Sequence, residues 1–445
     1  MNTDLTVGNP RKVLWNFSIP MFISVVFQQM YNIADSVIAG RYAGEKALAA
    51  VGASYPITMI FMAIAVGSNV GCSVVISSLF GAKKYNKMKT AVYTTLIASS
   101  VLSVILIAAG LAGNVALMKM IHTPKDVFSD GVLYLRIYIA GFLFLFLYNV
   151  ANGIFNSLGD SKTPLYFLIG SSVGNVLLDM YFVIVLDKGV AGVAWATFIA
   201  QGAACILALL TLRKRMAAIE THGKVVLFSG SMFARICRIA VPSILQQSFV
   251  SVGNIFIQSL VNSYGSACIA GYSAAIKLNT FMITSFSTLG NGVSSFTAQN
   301  LGAGKAERVK SGYKASVLLA VMIAVPVFIA YFFFGENMIQ LFLPNDGSAS
   351  AEALHTGVTI LKVLSPFYFF ISIKLIADGV LRGGGAIREF MVTTFSDLIL
   401  RVILAYLLSA RLDSLGIWLS WPIGWTVATA ISFIFYVKGA WKKYH

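Results

Sequence analysis

Twelve long apolar runs, separated by charged or glycine-containing clusters, follow one another along the chain. Their limits fall near 13–40, 47–79, 91–117, 132–156, 163–187, 190–212, 233–263, 267–300, 311–335, 353–381, 390–410 and 414–440. A helix that crosses a bilayer needs about 20 predominantly apolar residues, and every run reaches that length. A membrane β-barrel would instead show segments of about ten residues with alternating polarity. The pattern therefore predicts an all-α integral membrane protein with twelve transmembrane helices.

Composition sharpens this reading. The 445 residues are 58% hydrophobic and 11% charged, with mean hydropathy +0.80. Soluble domains carry about 25% charged residues. Too little polar surface exists here for a soluble enzyme, a disordered chain or a nucleic-acid module, so the partner for the surplus apolar surface is lipid. The formal net charge is +16. In a membrane protein such an excess collects in cytoplasmic loops.

The distribution of bases fits that rule. The N-terminus, the C-terminus and the loops after even-numbered spans, taken with the adjoining span ends that carry Arg235, Arg238, Lys314 and Lys438, hold 22 Lys and Arg residues. The loops after odd-numbered spans hold 6, and the other 5 lie within spans. Both termini are therefore expected in the cytoplasm, in a multi-pass protein of the cell's inner (plasma) membrane. The polar start at Met1–Lys12 runs into the first span without a small-residue cleavage pattern, so no cleavable signal peptide is expected.

The first six spans resemble the last six. The loop Gly81-Ala82-Lys83-Lys84 recurs as Gly302-Ala303-Gly304-Lys305, and Lys89 pairs with Lys310 and Gly71 with Gly292 at the same offset. Pro20 matches Pro242, Asn32 matches Asn254, Gly153 matches Gly379 and Gly192 matches Gly416 at nearly that spacing. An even number of helices per repeat inserts both copies the same way up. Parallel repeats are related by an axis along the membrane normal and meet at a central cavity. The expected architecture is thus two six-helix lobes, 1–212 and 233–445, related by a pseudo-two-fold axis along the membrane normal. The polar segment 213–232 is the cytoplasmic linker.

Four acids lie inside spans: Asp35, Asp179, Asp378 and Asp397. A charge at that depth costs several kcal/mol unless it is paired or hydrated, which makes each a functional candidate. Asp378 has Lys374 four residues before it and Arg382 four after; Asp397 has Arg401 four after. Such spacing places opposite charges on one helix face, so ion pairs within the C-terminal lobe are expected. Asp35 and Asp179 have no base within a turn. Gln28, Asn32 and Asp35 share a face of the first span; Ser172, Asn175 and Asp179 share one on the fifth; Thr197 and Gln201 share one on the sixth. An isolated carboxylate in low dielectric takes up a proton or finds a cation. Carboxylate, amide and hydroxyl oxygens together suit a hard cation such as sodium. Asp35, Asp179 and Thr197 lie at one level, roughly 7–12 Å from the outer surface at 1.5 Å per residue. Arg136, in the outer part of the fourth span, is the alternative partner for one of these carboxylates.

Pro20 weakens the first helix by removing an N–H, which suits either a static kink or a moving bend. Asn149, Asn152 and Asn156 form a polar stripe on the fourth span; interhelical hydrogen bonding and a substrate pathway explain it equally. Gln246, Gln247, Asn254 and Gln258 on the seventh span read the same way. The four cysteines are scattered and read as small hydrophobes. The four histidines, His122, His222, His355 and His445, are placed in loops or at the C-terminus, so no histidine-rich metal site is expected in the membrane.

With these residues in view, the chain resembles the MATE family, the multidrug and toxic compound extrusion transporters. The resemblance covers essentially the whole chain. It rests on Asn32-Ile-Ala-Asp35-Ser-Val-Ile-Ala-Gly40, the duplicated Gly-Ala loop, Asn175-Val-Leu-Leu-Asp179 and the run Gly189-Val-Ala-Gly-Val-Ala-Trp-Ala-Thr197. It implies two six-helix lobes in a V shape and antiport of organic compounds against protons or sodium. In the prokaryotic DinF-like branch the cation site matches Asp35, Asn175, Asp179 and Thr197, and the helix bend matches Pro20. The NorM branch carries an acid on the seventh helix, whereas 233–263 contains no Asp or Glu. Asp378 matches that branch's other acid without its partner, which favours the DinF-like branch.

The expected function is secondary antiport by alternating access: export of organic, often cationic and lipophilic, compounds in exchange for H⁺ or Na⁺. No cofactor, no nucleic acid and no metal other than Na⁺ are expected; the partners are the bilayer and small organic substrates, and the protein is expected as a monomer. The alternative is a lipid-linked oligosaccharide flippase of the same superfamily, which would want more spans and a base-lined cavity. A sugar carrier of the major facilitator type lacks support in the loop between spans two and three. An intramembrane enzyme lacks a nucleophile constellation, and a channel would show rings of polar residues.

Overall fold

The computed structural model describes residues 3–43, 45–121, 123–221, 223–343 and 351–442. His122, His222 and His445 lie outside them. Fourteen α-helices are formed among these residues. They are α1 (Pro10–Tyr42), α2 (Glu45–Gly81), α3 (Tyr85–Met120), α4 (Lys125–Ala140), α5 (Phe142–Ser157), α6 (Lys162–Met180), α7 (Gly189–Ala217), α8 (Gly230–Asn262), α9 (Ser266–Gly302), α10 (Ala306–Phe333), α11 (Gly335–Gln340), α12 (Ala351–Leu364), α13 (Tyr368–Gly383) and α14 (Ile387–Val437).

Nine of the described helices are long and apolar enough to cross a membrane, or ten if α4 and α5, bent by 48° at Gly141, form one span. The 51-residue α14 divides into two spans at Asp413, whose φ of 49° lies in the left-handed region that L side chains rarely adopt. With α9, 37 residues long but rich in serine and asparagine, these make up the twelve expected spans. The tenth span is broken: α12 and α13 are joined by a 3₁₀ turn at Ser365–Phe367. His355 lies in α12, exposed, and not in a loop as the sequence reading had it. The apolar run 353–381 already includes this position, so run length placed His355 in the tenth span, and the helix that carries it begins at Ala351.

The chain forms two compact units: Met1–Asp4 with Ile23–Gln247, and Leu5–Phe22 with Ser248–His445. The segment 213–232 is thus not the boundary. α1 and α8 each contribute one half to either unit. In the first unit the reason is visible at Gly67 and Gly71 of α2. A methyl group at Gly67 would sit 2.4 Å from Ile244, and one at Gly71 would sit 2.5 Å from Ala240. Only glycine lets the first half of α8 come so close, and that contact holds it to α2.

Each unit packs a glycine of its fourth span against its second. In the first, a methyl at Gly153 of α5 would lie 2.6 Å from Asn69 Oδ1. In the second, one at Gly379 of α13 would lie 2.3 Å from the Gly290 carbonyl oxygen. The duplicated Gly-Ala loops also share a backbone form. Lys83 and Gly304, at equivalent positions, have φ of 56° and 72°. Lys84 N donates to the Leu79 carbonyl at 3.0 Å, and Lys305 N to the Asn300 carbonyl at 2.7 Å. The repeat read from sequence is therefore a repeat of local conformation.

Candidate functional site

The first unit carries a carboxylate pair. Asp179, on the last turns of α6, is fully buried; Asp35, on α1, is half-buried. Their carboxyl groups lie close enough to interact electrostatically with each other. No described donor satisfies Asp35 Oδ1, Asp179 Oδ1 or Asp179 Oδ2, all of them buried. Such groups are costly to leave unpaired in a low-dielectric interior.

Local structure explains how these residues meet. Asn175 and Asp179 sit four apart on α6 and so share a face. Beyond Asp179 the helix widens into a π-helical turn at Tyr181–Val185, and Leu186 N donates to the Tyr181 carbonyl at 3.1 Å. Single π-turns of this kind recur at functional sites. The chain then reverses through Asp187 and Gly189, both with positive φ, into α7. Gly192 lies against the Phe182 backbone, 3.2 Å from where its Cβ would be. This tight turn carries Thr197, two turns along α7, to the same level as Asp179.

Asn175 is buried, and its Oδ1 accepts a short hydrogen bond from the Tyr31 hydroxyl; its Nδ2 has no described partner. Thr197 lies near the Tyr31 side chain. Thr197 Oγ1 donates to the Val193 carbonyl at 3.1 Å. Tyr134 of α4 lies close to both carboxylates and, with Thr197, Tyr138 and Gln201, lines an adjoining cavity of about 20 Å³. That volume is room for one water molecule. The four expected residues are thus brought together, and two tyrosines join them. Tyr31 carries a signal in the sequence, since it lies four residues before Asp35. Tyr134 carries none, because it arrives from another helix.

No described group of three or more His, Cys, Asp or Glu could hold a metal ion. The donors are two carboxylates with neutral oxygens around them, a set that fits a proton or one small hard cation. Arg136 is exposed, with no carboxylate within 4 Å among the described ion pairs. The neighbouring expected residues are placed differently. Gln28 and Asn32 are exposed on α1, and Asn32 Nδ2 donates to Gln29 at 3.1 Å. Asn149 Nδ2 donates within its helix to the Leu145 carbonyl at 2.9 Å. Asn152 Oδ1 and Asn156 Oδ1 are buried without a described donor. Pro20 is buried within α1, which continues through it as one helix.

The second unit handles its charges in another way. Lys374 Nζ lies 3.0 Å from Asp378 Oδ2, and Asp378 Oδ1 accepts from Thr393 at 2.9 Å and Ser432 at 2.7 Å. Arg382 turns instead to Asn291 at 2.9 Å and to the face of Phe390. The expected Asp397–Arg401 pair does not form. Arg401 stacks over Trp421, 4.5 Å from the ring centroid, and Asp397 Oδ1 is left without a described donor. A desolvated guanidinium gains from an aromatic face, and here that gain replaces the ion pair.

A twelve-span all-helical protein with paired carboxylates buried in one unit is a membrane transporter in fold. The MatE family model matches residues 20–181 and 242–407, one stretch in each repeat, and the chain belongs to that family. Among its relatives, the probable multidrug resistance protein YpnP of Bacillus subtilis is 29% identical, with 99% of this chain and 97% of YpnP covered. YoeA of the same organism, also described as a probable multidrug resistance protein, is 27% identical, with 96% and 93% covered. A solved outward-facing multidrug resistance MATE transporter of the MOP superfamily superposes with a TM-score of 0.91 at 25% identity, over 99% of this chain and 98% of that one. The protein is a multi-pass membrane transporter, not an enzyme.

Proposed function

We propose that the protein is a secondary antiporter that exports organic, often cationic and lipophilic, compounds across the inner (plasma) membrane in exchange for H⁺ or Na⁺. Both termini lie in the cytoplasm in this reading, as the distribution of bases suggests. The observation that carries it is the Asp35–Asp179 pair, buried and without a described donor at three of its oxygens. Two neighbouring carboxylates cannot both remain bare and charged in low dielectric. A shared proton or a sodium ion offsets the repulsion, and Asn175, Thr197 and Tyr31 supply neutral oxygens around it. Loading and release of that ion would bias α1, which carries Asp35 and is shared between the two units. A ligand shifts a two-state equilibrium only by its differential affinity for the two states. The repeats provide the two bodies needed for alternating access. The names of YpnP and YoeA support drugs as the class of cargo. Asp35, Asn175, Asp179 and Thr197 with Pro20 favour the DinF-like branch.

The test is ethidium movement in proteoliposomes under an imposed proton or sodium gradient. Gradient-driven transport that Asp35→Asn abolishes, in folded protein, supports the reading and names the ion. Transport unaffected by Asp35→Asn defeats it.

A further inference from the structure

A second feature of the first unit lies away from the carboxylates. A groove of about 570 Å³ runs between α3 and the first half of α8. Ile97, Val101 and Ile105 line one side, and Ile236 and Val241 the other. Its stretch of α3 from Thr95 to Ile105 is about 15 Å long at 1.5 Å per residue. Val101, Ile105 and Val241 are all at least half exposed, so the groove opens sideways from two membrane-spanning helices.

One end of the groove is closed by the segment between α7 and α8. That segment is strapped to α3: Val226 N donates to Thr90 Oγ1 at 3.2 Å and Ser229 N to Thr94 Oγ1 at 3.1 Å. Phe228, held between those anchors, lines the groove and packs on Phe233 with ring centroids 6.0 Å apart. Leu227 beside it is 66% exposed. The stretch of chain that carries Phe228 and Phe233 is strongly basic in sequence. Residues 213–238 contain six bases and a single acid, Glu220. Arg215 is engaged by Asp160 at 3.2 Å, while Lys224, Arg235 and Arg238 are exposed.

We propose that this groove is a binding site for an anionic phospholipid, with one acyl chain between α3 and α8 and the phosphate held by the bases at the Phe228 end. The proposal rests on the orientation given above, which sets this end in the cytoplasmic leaflet. There the apolar linker residues enter the headgroup region and the bases meet the negative surface of that leaflet. Charge complementarity at one end and a lateral apolar opening along the rest match one amphiphile and not a water-borne ligand. A lipid tail here fills the space behind the half of α8 that Gly67 and Gly71 hold against α2, so it stabilises the packing of this unit.

Cys237 lines the groove and is partly accessible, whereas Cys72, Cys205 and Cys268 are buried. It reports occupancy without a variant. Purified protein in detergent is treated with N-ethylmaleimide after addition of phosphatidylglycerol or of phosphatidylcholine with the same acyl chains. The expected result is severalfold slower alkylation of Cys237 and a higher melting temperature with phosphatidylglycerol only. The triple variant Lys224→Gln, Arg235→Gln, Arg238→Gln should lose that preference while keeping its melting temperature in detergent. Equal protection by both lipids would overturn the proposal in favour of ordinary annular lipid, and protection by neither would remove the site. Protection by ethidium that phosphatidylglycerol does not compete away would reassign the groove to a transported compound. None of these results bears on gradient-driven transport, so the antiport reading stands or falls separately.

Discussion

Lys374 Nζ lies 3.0 Å from the carboxylate of Asp378, one helical turn along α13, and both side chains are almost completely buried. Removing one member of such a pair strands the other in low dielectric, at a cost of about 3–5 kcal/mol. Asp378→Asn should therefore lower the melting temperature of the purified protein sharply. The double variant Lys374→Met, Asp378→Asn should recover most of the loss, because no charge is then stranded. A single variant as stable as the parent would show that the pair does not hold this unit together.

The close contact between α9 and α13 gives a second prediction. Gly379→Leu places side-chain atoms where a methyl group already meets the Gly290 carbonyl at 2.3 Å. Backbone cannot yield there as a flexible side chain would, so the helices must separate, at about 1–3 kcal/mol or more. Gly113→Ala in α3 meets nothing within 4 Å. It should be neutral, or stabilising by up to about 1 kcal/mol through helix propensity. Detergent melting curves of the two variants make the comparison.

Tyr31→Phe tests the surroundings of the carboxylates. The hydroxyl donates to Asn175 Oδ1 and is absent in the variant. Loss of one such hydrogen bond is worth about 0.5–1.5 kcal/mol. Folded yield should be unchanged, while the concentration of the driving ion at half-maximal transport shifts by about 2–10-fold. An unshifted ion dependence would remove Tyr31 from the site.

Arg136→Gln should leave both transport and its ion dependence unchanged, since the guanidinium is exposed and makes no described ion pair. A variant with altered ion dependence would restore Arg136 as a partner of the carboxylates. The same proteoliposome flux measurement decides it.

Much of this structure was legible in the sequence, for reasons that differ by residue. Asn175 and Asp179 share a helix face by spacing alone, and apolar run length defines the spans. The duplicated Gly-Ala loops were readable because left-handed positions such as Gly304 leave a sequence mark, although Lys83 adopts the same backbone without glycine. Spacing misled at Asp397 and Arg401, because it is blind to Trp421 arriving from a later turn of the chain. Tyr134 was missed for the same reason. The exchange of α8 between units depended on close approach at Gly67 and Gly71, which a chain-order reading of lobes does not contain.

The central claim is that the Asp35–Asp179 pair carries the coupling ion. It is tested most directly by substrate-driven counterflux. Proteoliposomes with no imposed gradient receive ethidium on one side, and the opposing movement of protons or sodium is followed with an internal indicator. The account predicts counterflux in the parent protein and none in folded Asp179→Asn, whose neutral carboxamide takes up no proton and brings no negative charge to balance a sodium ion. Counterflux of undiminished size in Asp179→Asn would contradict it.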